Sequence, residues 1–256
     1  MSSSIWTRDA LSFEAAPARG TCWRIVEAQH HVSTAKLTDS AEEQMRLEEL
    51  IEGSKPPIPE GCRGLHYLLF TPFRYGAAYP RGSRFRRAGM TPGVYYASVR
   101  PQTAMAELSF YRLLFFAESP ATPWPANPGE YSAFSADYAT QRAIDLTRSP
   151  LDRDRNIWTH KTDYSGCQDL ADAARAARID LIKYESVRCP DRGMNVAILD
   201  CAAFASRDIG DRQTWRIQLN ASGVRLICEF PKLVLSFDRD TFASDPRIAG
   251  MTWDRR

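Results

Sequence analysis

The fold is decided by residues 82–112, which read GSRFRRAGMTPGVYYASVRPQTAMAELSFYR. A polar turn rich in arginine precedes a short apolar run at 94–98, which predicts a strand. Residues 102–116 then show apolar side chains at helical spacing. Glu107 lies inside the otherwise apolar part of that helix. Its carboxylate lies either at an amphipathic boundary, paired with Arg100 or Arg112, or faces inward for a chemical purpose.

Composition and charge describe an ordinary globular protein. The chain has 256 residues, of which 44% are hydrophobic and 25% charged, so it has ample length for a core. The net charge of +2 provides no overall basic field and gives direct nucleic-acid binding no support. No apolar run approaches the ~20 residues that cross a bilayer, and the first residues lack a signal pattern. We therefore expect a cytoplasmic protein with no membrane partner.

The cysteines and histidines form no recognisable ligand pattern. The four histidines do not give H-E-x-x-H, and no two cysteines form a C-x-x-C pair. The sequence therefore predicts no metal site, no disulfide framework and reduced thiols. The six cysteines are Cys22, Cys62, Cys167, Cys189, Cys201 and Cys228.

The remaining periodicity predicts an α+β protein. Residues 20–55 are interpreted as a helical pair, the first helix over 21–37 and the second beginning after Asp39 and Ser40. We expect residues 1–60 to form an N-terminal helical extension and residues 61–256 the main domain. A further helix begins near residue 164, and residues 118–129 form a loop. Strands are predicted at 66–70, 131–138, 142–147, 180–185 and 194–199, and a hairpin at 214–219 and 224–230.

Arginines are concentrated in the turn before the strand at 94–98. Arg81, Arg84, Arg86 and Arg87 lie among glycines that allow a ligand to approach the backbone. Guanidinium groups suit phosphate or diphosphate oxygens, and a solvated loop is an equally good interpretation of the same residues. Neither a Walker-type nor a dinucleotide-type glycine loop is present.

Taken in order, these segments resemble the RES domain, a toxin family named for an arginine, a glutamate and a serine. The resemblance spans about residues 65–205, with flanking matches at 66–75, 144–147 and 162–165. The segments that carry it are GSRF at 82–85, VYYAS at 94–98, AMAE at 104–107, YESVR at 184–188 and NVA at 195–197.

The resemblance implies a fold, an activity and a partner. RES proteins resemble ADP-ribosyltransferases, so we expect a mixed or antiparallel split sheet with flanking helices, and 61–256 becomes a RES-like catalytic domain. The family consumes NAD as its substrate by cleaving the nicotinamide–ribose bond, as a glycohydrolase or phosphorylase, without a metal. Its members usually act as toxins whose antitoxin is an Xre-type helix-turn-helix protein. A homo-oligomer is also compatible with the sequence.

The resemblance also assigns residues. The family arginine, tyrosine, glutamate and serine fall on Arg84, Tyr96, Glu107 and Ser186, which are the predicted catalytic residues. Arg86 is the alternative to Arg84, and Tyr95 is the alternative to Tyr96. The predicted substrate-binding residues are Arg86, Arg87, Tyr95, Arg188 and Asn195.

The chemistry of glycosidic cleavage fits these residue types. An oxocarbenium-like centre develops on the ribose, and a carboxylate such as Glu107 stabilises it and binds the ribose hydroxyls. Arg84 suits the diphosphate, Tyr96 offers a face for nicotinamide, and Ser186 binds substrate or holds Glu107. The alternatives are transfer of ADP-ribose to a macromolecular acceptor and a non-catalytic nucleotide-binding or interaction module.

Overall fold

The computed structural model describes residues 6–28, 37–75, 82–89 and 91–255. None of the helices in these segments is long and apolar enough to span a bilayer. The helices are α1 (Arg8–Glu14), α2 (Ala41–Ser54), α3 (Tyr67–Arg74), α4 (Pro101–Glu118), α5 (Arg155–Trp158), α6 (Ser165–Ala176) and α7 (Pro246–Ala249). The strands are β1 (Ala16–Glu27), β2 (Tyr95–Ser98), β3 (Gly129–Asp145), β4 (Leu181–Glu185), β5 (Met194–Ile198), β6 (Arg212–Asn220), β7 (Gly223–Cys228) and β8 (Leu233–Asp238).

All eight strands belong to one sheet, in the order β1-β2-β5-β4-β3-β6-β7-β8. β1 also pairs with β3, so five strands close into a ring from which β6, β7 and β8 extend. Only the β3–β4 pairing is parallel, while every other pairing of named strands is antiparallel. The predicted α+β class with a mixed, mainly antiparallel sheet is confirmed.

The helix predicted over residues 21–37 is wrong. Residues 16–27 form the 12-residue strand β1, which pairs antiparallel with β3 from Ala16 to Glu27. The second predicted helix is confirmed as α2, where Ser40 caps the backbone N–H of Glu43. The N-terminal segment thus contributes a strand to the central sheet as well as helices. His30 and the other residues up to 36 lie outside the described residues.

The strand predicted at 66–70 is also wrong, because these residues begin the helix α3. The ring Nδ1 of His66 accepts a hydrogen bond from the backbone N–H of Leu68 and caps the helix start. Leu69 is fully buried, which anchors the helix to the ring of strands. The backbone at Gly93 packs directly against the same helix, because a Cβ atom on Gly93 would collide with the carbonyl oxygen of Pro72.

Most of the remaining predicted elements are confirmed. The strand at 94–98 is β2, the helix at 102–116 is α4, and Pro101 opens that helix at its first position. The helix near residue 164 is α6, and the hairpin is formed by β6 and β7. Residues 131–138 and 142–147 were predicted as two strands, but the 17-residue β3 runs continuously through most of both. β8 was not predicted.

Helices cover the face of the sheet that lies outside the ring. There α4 packs Phe110 and Leu113 against Trp215 and Leu226 of β6 and β7. On the same face α6 packs Leu170 and neighbouring residues against the strands β4 and β5. A third cluster, which includes Tyr95, Phe134 and Val196, fills the space that the ring strands enclose. The sheet is therefore buried on the face that carries Glu107 as well as inside the ring.

One prediction about cysteine is wrong. Cys62 and Cys201 form a disulfide whose Cα atoms lie 5.4 Å apart, joining two short 3₁₀ turns. The other cysteines are free and buried: Cys22, Cys167, Cys189 and Cys228. Sequence spacing did not reveal the pair because its members are 139 residues apart.

Candidate active site

Three neighbouring strands place a row of polar side chains on one face of the sheet. Ser98 of β2 pairs with Asn195 of β5, and Asn195 pairs with Tyr184 of β4. Directly paired residues point to the same face, and residues two apart along a strand do so as well. Tyr96 therefore shares this face, whereas Tyr95 points the other way, into the ring.

Glu107 lies over this row and faces inward. Its Oε1 accepts a hydrogen bond from the Ser186 hydroxyl at 2.6 Å and another from the Asn195 amide Nδ2 at 2.7 Å. In the part of the chain that the structure describes, no group donates a hydrogen bond to Oε2. Arg112 bonds to Glu27 instead of Glu107. The carboxylate is thus held by one oxygen, and its other oxygen keeps its capacity to accept hydrogen bonds.

Ser186 is fixed by the turn that follows β4. Its Oγ accepts hydrogen bonds from the backbone N–H of Arg188 at 3.2 Å and of Cys189 at 2.9 Å, while its own hydrogen goes to Glu107. The loop between β4 and β5 packs closely onto the start of α4. At Gly193 the two segments are so close that a Cβ atom would overlap the Thr103 hydroxyl. The serine hydroxyl is therefore oriented before any substrate arrives.

Arg84 is a buried cation without a carboxylate partner among the residues that the structure describes. It is 8% exposed and donates from Nη1 to the carbonyl of Trp158 at 2.6 Å and from Nη2 to the carbonyl of His160 at 3.1 Å. Its guanidinium lies 4.7 Å from the centre of the Tyr164 ring. Burial acts to lower the pKa of Arg84, but the neighbouring Cys167, Tyr164 and Tyr184 side chains outweigh it and raise the pKa. The side chain keeps its positive charge.

The other predicted arginines of the turn are differently placed. Arg87 forms ion pairs with Asp169 and Asp172 on α6, and all three side chains are substantially exposed. Arg86 donates to the Thr91 hydroxyl at 3.2 Å and to the Thr91 carbonyl at 3.0 Å. Arg81 lies outside the described residues. Of the three described arginines of this turn, Arg84 is thus the most deeply buried.

Arg188 occupies a buried ion pair. Its Nη1 donates to Asp245 Oδ2, both side chains are almost completely buried, and Nη2 donates to the Lys161 carbonyl at 2.6 Å. The guanidinium also lies 3.8 Å from the centre of the Phe110 ring. Arg188 therefore joins the loop after β4 to α4 and to the turn before α7, and its predicted contact with substrate stays a prediction.

The Tyr96 hydroxyl holds the arginine turn in place. It accepts a hydrogen bond from the backbone N–H of Phe85 at 2.9 Å and lies 2.8 Å from the Ser83 hydroxyl. Burial raises the pKa of Tyr96 to about 12, so the phenol is neutral at physiological pH. The Tyr95 hydroxyl, in contrast, is buried and has no hydrogen-bond partner within the described segments. The structure places Tyr96, and not Tyr95, on the face that carries Glu107.

The sequence prediction missed three tyrosines that lie close to Glu107 or to Arg84. Tyr184 is buried in the polar row, and its pKa is raised well above the ordinary value by burial and then by the charge of Glu107. Tyr164 lies under Arg84. Tyr111 follows Glu107 by four residues in α4 and is 51% exposed. Helical spacing alone would have placed Tyr111 beside Glu107.

Comparison with known proteins gives the family. The family model described as the RES domain matches residues 58–220, which is more than half of the chain and includes every predicted site residue. The chain belongs to the RES-domain family. Residues 1–57 and 221–256 lie outside the matched range.

The likeness to a solved structure is weak. A chain in the crystal structure of the M. tuberculosis MbcT-MbcA toxin-antitoxin complex is similar to this one at 12% identity, with 94% of this chain and 97% of that chain covered and a TM-score of 0.47. No curated protein matches the sequence. In the described segments, no group of three or more His, Cys, Asp or Glu side chains is arranged to hold a metal ion.

Proposed function

We propose that this chain cleaves the nicotinamide–ribose bond of NAD, by hydrolysis or phosphorolysis, with Arg84, Tyr96, Glu107 and Ser186 at the site. The observation that carries the proposal is the environment of Glu107. Two donors hold its Oε1, its Oε2 accepts no hydrogen bond from the described residues, and it lies on a helix over the polar row. Such a carboxylate is oriented in advance toward a ligand.

The geometry suits a reaction in which positive charge develops on a sugar. Nicotinamide leaves as a neutral molecule from a cationic precursor, so its departure needs little help from an acid. The developing oxocarbenium centre on the ribose does need a nearby negative charge. We assign that role to Oε2 of Glu107, which would also bind a ribose hydroxyl. Ser186 and Asn195 hold the carboxylate in place.

Arg84 supplies the charge that attracts the diphosphate. Its hydrogen bonds go to two carbonyl groups and to the Cys167 sulfur, so its positive charge is not cancelled as that of Arg87 is by two aspartates. A guanidinium has five N–H donors, and these three bonds do not exhaust them. We therefore assign diphosphate recognition to Arg84, and Arg87 has at most a peripheral role.

The remaining assignments depend on which group of each side chain is not already engaged in a hydrogen bond, and on the family. The Tyr96 hydroxyl is engaged with Phe85 and Ser83, so we assign its ring to contact with the substrate. Membership of the RES family further supports a role as the toxin of a toxin–antitoxin pair. We propose an Xre-type helix-turn-helix protein as the antitoxin and the cytoplasm, where NAD is available, as the place of action.

The test is to follow the products of NAD labelled in its ADP-ribose part. The purified chain is incubated with labelled NAD in water alone, with inorganic phosphate, and with a mixture of cellular protein and nucleic acid. We expect nicotinamide together with free ADP-ribose in the first arm or its phosphate ester in the second. Label on a macromolecule would show ADP-ribosyl transfer instead. Binding of NAD without release of nicotinamide in any arm would contradict the proposal.

A further inference from the structure

Glu107 is connected to the sheet through two consecutive hydrogen bonds. The Ser98 hydroxyl donates to Asn195 Oδ1 at 2.6 Å, and Asn195 Nδ2 donates to Glu107 Oε1 at 2.7 Å. Ser98 is 3% exposed and Asn195 is 2% exposed. Both residues lie on paired strands, so the two bonds extend from β2 through β5 to the helix α4.

The chemistry of the three groups fixes the direction of these bonds. A carboxylate only accepts hydrogen bonds, so the NH₂ end of the Asn195 amide must face Glu107. The carbonyl end then points away from Glu107 toward β2, where it needs a donor because it is buried. Ser98 is that donor. With both ends of the amide bonded, the Asn195 side chain is held against rotation.

The two donors to Glu107 have different supports. Ser186 is held by backbone N–H groups of the loop that follows β4, whereas Asn195 is held by a side chain in the sheet itself. The strands β2, β4 and β5 are paired through the register that contains Ser98, Asn195 and Tyr184. The sheet is therefore the more rigid of the two supports for the carboxylate.

We propose that Ser98 is a positioning residue for Glu107 and acts through Asn195. Asn195 is then a positioning residue as well, and not a substrate-binding one. The inference rests on the proposed function, since the purpose of the arrangement is to direct Oε2 of Glu107 at the ribose. Removal of the Ser98 hydroxyl frees the amide to rotate and lets the carboxylate leave its productive orientation.

The expected result for Ser98→Ala is a loss of turnover without a matching loss of binding. We expect kcat for NAD to fall about tenfold or more, since small displacements of a reacting group cost up to about a hundredfold. KM should change less than about threefold, because Arg84 is untouched. Ser98→Thr restores a hydroxyl at the same position and should recover most of the lost kcat. Ser98→Cys, a weak donor of similar size, should be intermediate.

Ser109→Ala is the matched control. Ser109 is a fully buried serine on the same helix as Glu107, and its hydroxyl has no hydrogen-bond partner among the residues that the structure describes. This variant should keep wild-type kcat and KM. Wild-type kcat in Ser98→Ala, or a Ser98→Thr variant as slow as Ser98→Ala, would overturn the inference, because both results show that the hydroxyl does not position Glu107.

A second readout separates this inference from the proposed function. The side-chain amide protons of Asn195 should exchange slowly with solvent in the wild type, as measured by NMR, and at least tenfold faster in Ser98→Ala. If the wild-type chain releases no nicotinamide, the proposed function fails while the exchange rates still decide the role of Ser98. Equal exchange in the two proteins would overturn the positioning role whatever the activity.

Discussion

We expect Glu107→Gln to lower kcat for NAD by about a thousandfold or more, comparable to the largest losses seen when one electrostatic group of an active site is removed. The substitution changes charge and little else. A glutamine carbonyl can still accept the hydrogen bonds that Ser186 and Asn195 donate to Oε1. What is lost is the negative charge that stabilises the oxocarbenium centre. Nicotinamide release under saturating NAD measures the effect.

The same variant should still bind NAD with a dissociation constant within a few-fold of the wild-type value, as measured by calorimetry. Glu49→Gln is the matched control, because Glu49 is an exposed glutamate on α2 outside the site. That control should keep full activity. Wild-type turnover in Glu107→Gln would show that Glu107 is not the charge on which cleavage depends.

The second large effect concerns folding stability and involves the Arg188–Asp245 pair. We expect Asp245→Ala to lower the free energy of unfolding by about 3–5 kcal/mol, because it leaves the Arg188 guanidinium buried without its carboxylate. Urea unfolding of the two proteins at neutral pH measures the difference. Asp172→Ala removes part of an exposed ion pair with Arg87 and should cost less than about 1 kcal/mol. A cost that small for Asp245→Ala would contradict the structural role of the pair.

The pH dependence gives an independent check of the same pair. Burial acts to raise the pKa of Asp245, but hydrogen bonds from Arg247 and the charge of Arg188 outweigh it, so the folded-state pKa lies below the ordinary value. A lowered carboxyl pKa stabilises the fold above the unfolded value of about 4, and that contribution is lost as the pH falls through the folded value. The stability gap between wild type and Asp245→Ala should therefore narrow below about pH 4.

The local part of this fold could be predicted from the sequence. β2 and α4 follow one another within 82–112. β2 is a short apolar run after a turn that contains glycine and proline, and α4 has helical periodicity and begins at Pro101. The same is true of the β6–β7 hairpin, whose turn begins at Asn220. In these elements the local pattern of polar and apolar residues and the packing against the rest of the sheet favour the same secondary structure.

The wrong predictions concern elements whose structure depends on contacts with distant parts of the chain. Trp23 and Val26 are separated by a helical spacing, yet β1 is a strand because β3, more than a hundred residues later, pairs with its whole length. Residues 67–74 contain a run of large apolar side chains typical of a strand. They form α3 because the His66 ring caps the helix start and Leu69 fills the ring of strands.

In the candidate site, too, local sequence segments predict some residues, whereas contacts between distant residues determine the others. Glu107, Arg84 and Ser186 could be predicted as site residues because each belongs to a recognisable sequence segment. The choice between Tyr95 and Tyr96 needed the strand register, since neighbouring residues on a strand point to opposite faces. The bond from Ser98 to Asn195 joins residues 97 positions apart, and no local pattern indicates it.

The most direct test of the central claim is a crystal structure of the Glu107→Gln variant with NAD bound. We predict that the nicotinamide ribose lies against residue 107, on the side of the oxygen that Ser186 and Asn195 do not bind, and that the diphosphate lies within contact of Arg84. NAD bound away from residue 107, with the polar row of Ser98, Asn195 and Tyr184 untouched by the ligand, would contradict the account.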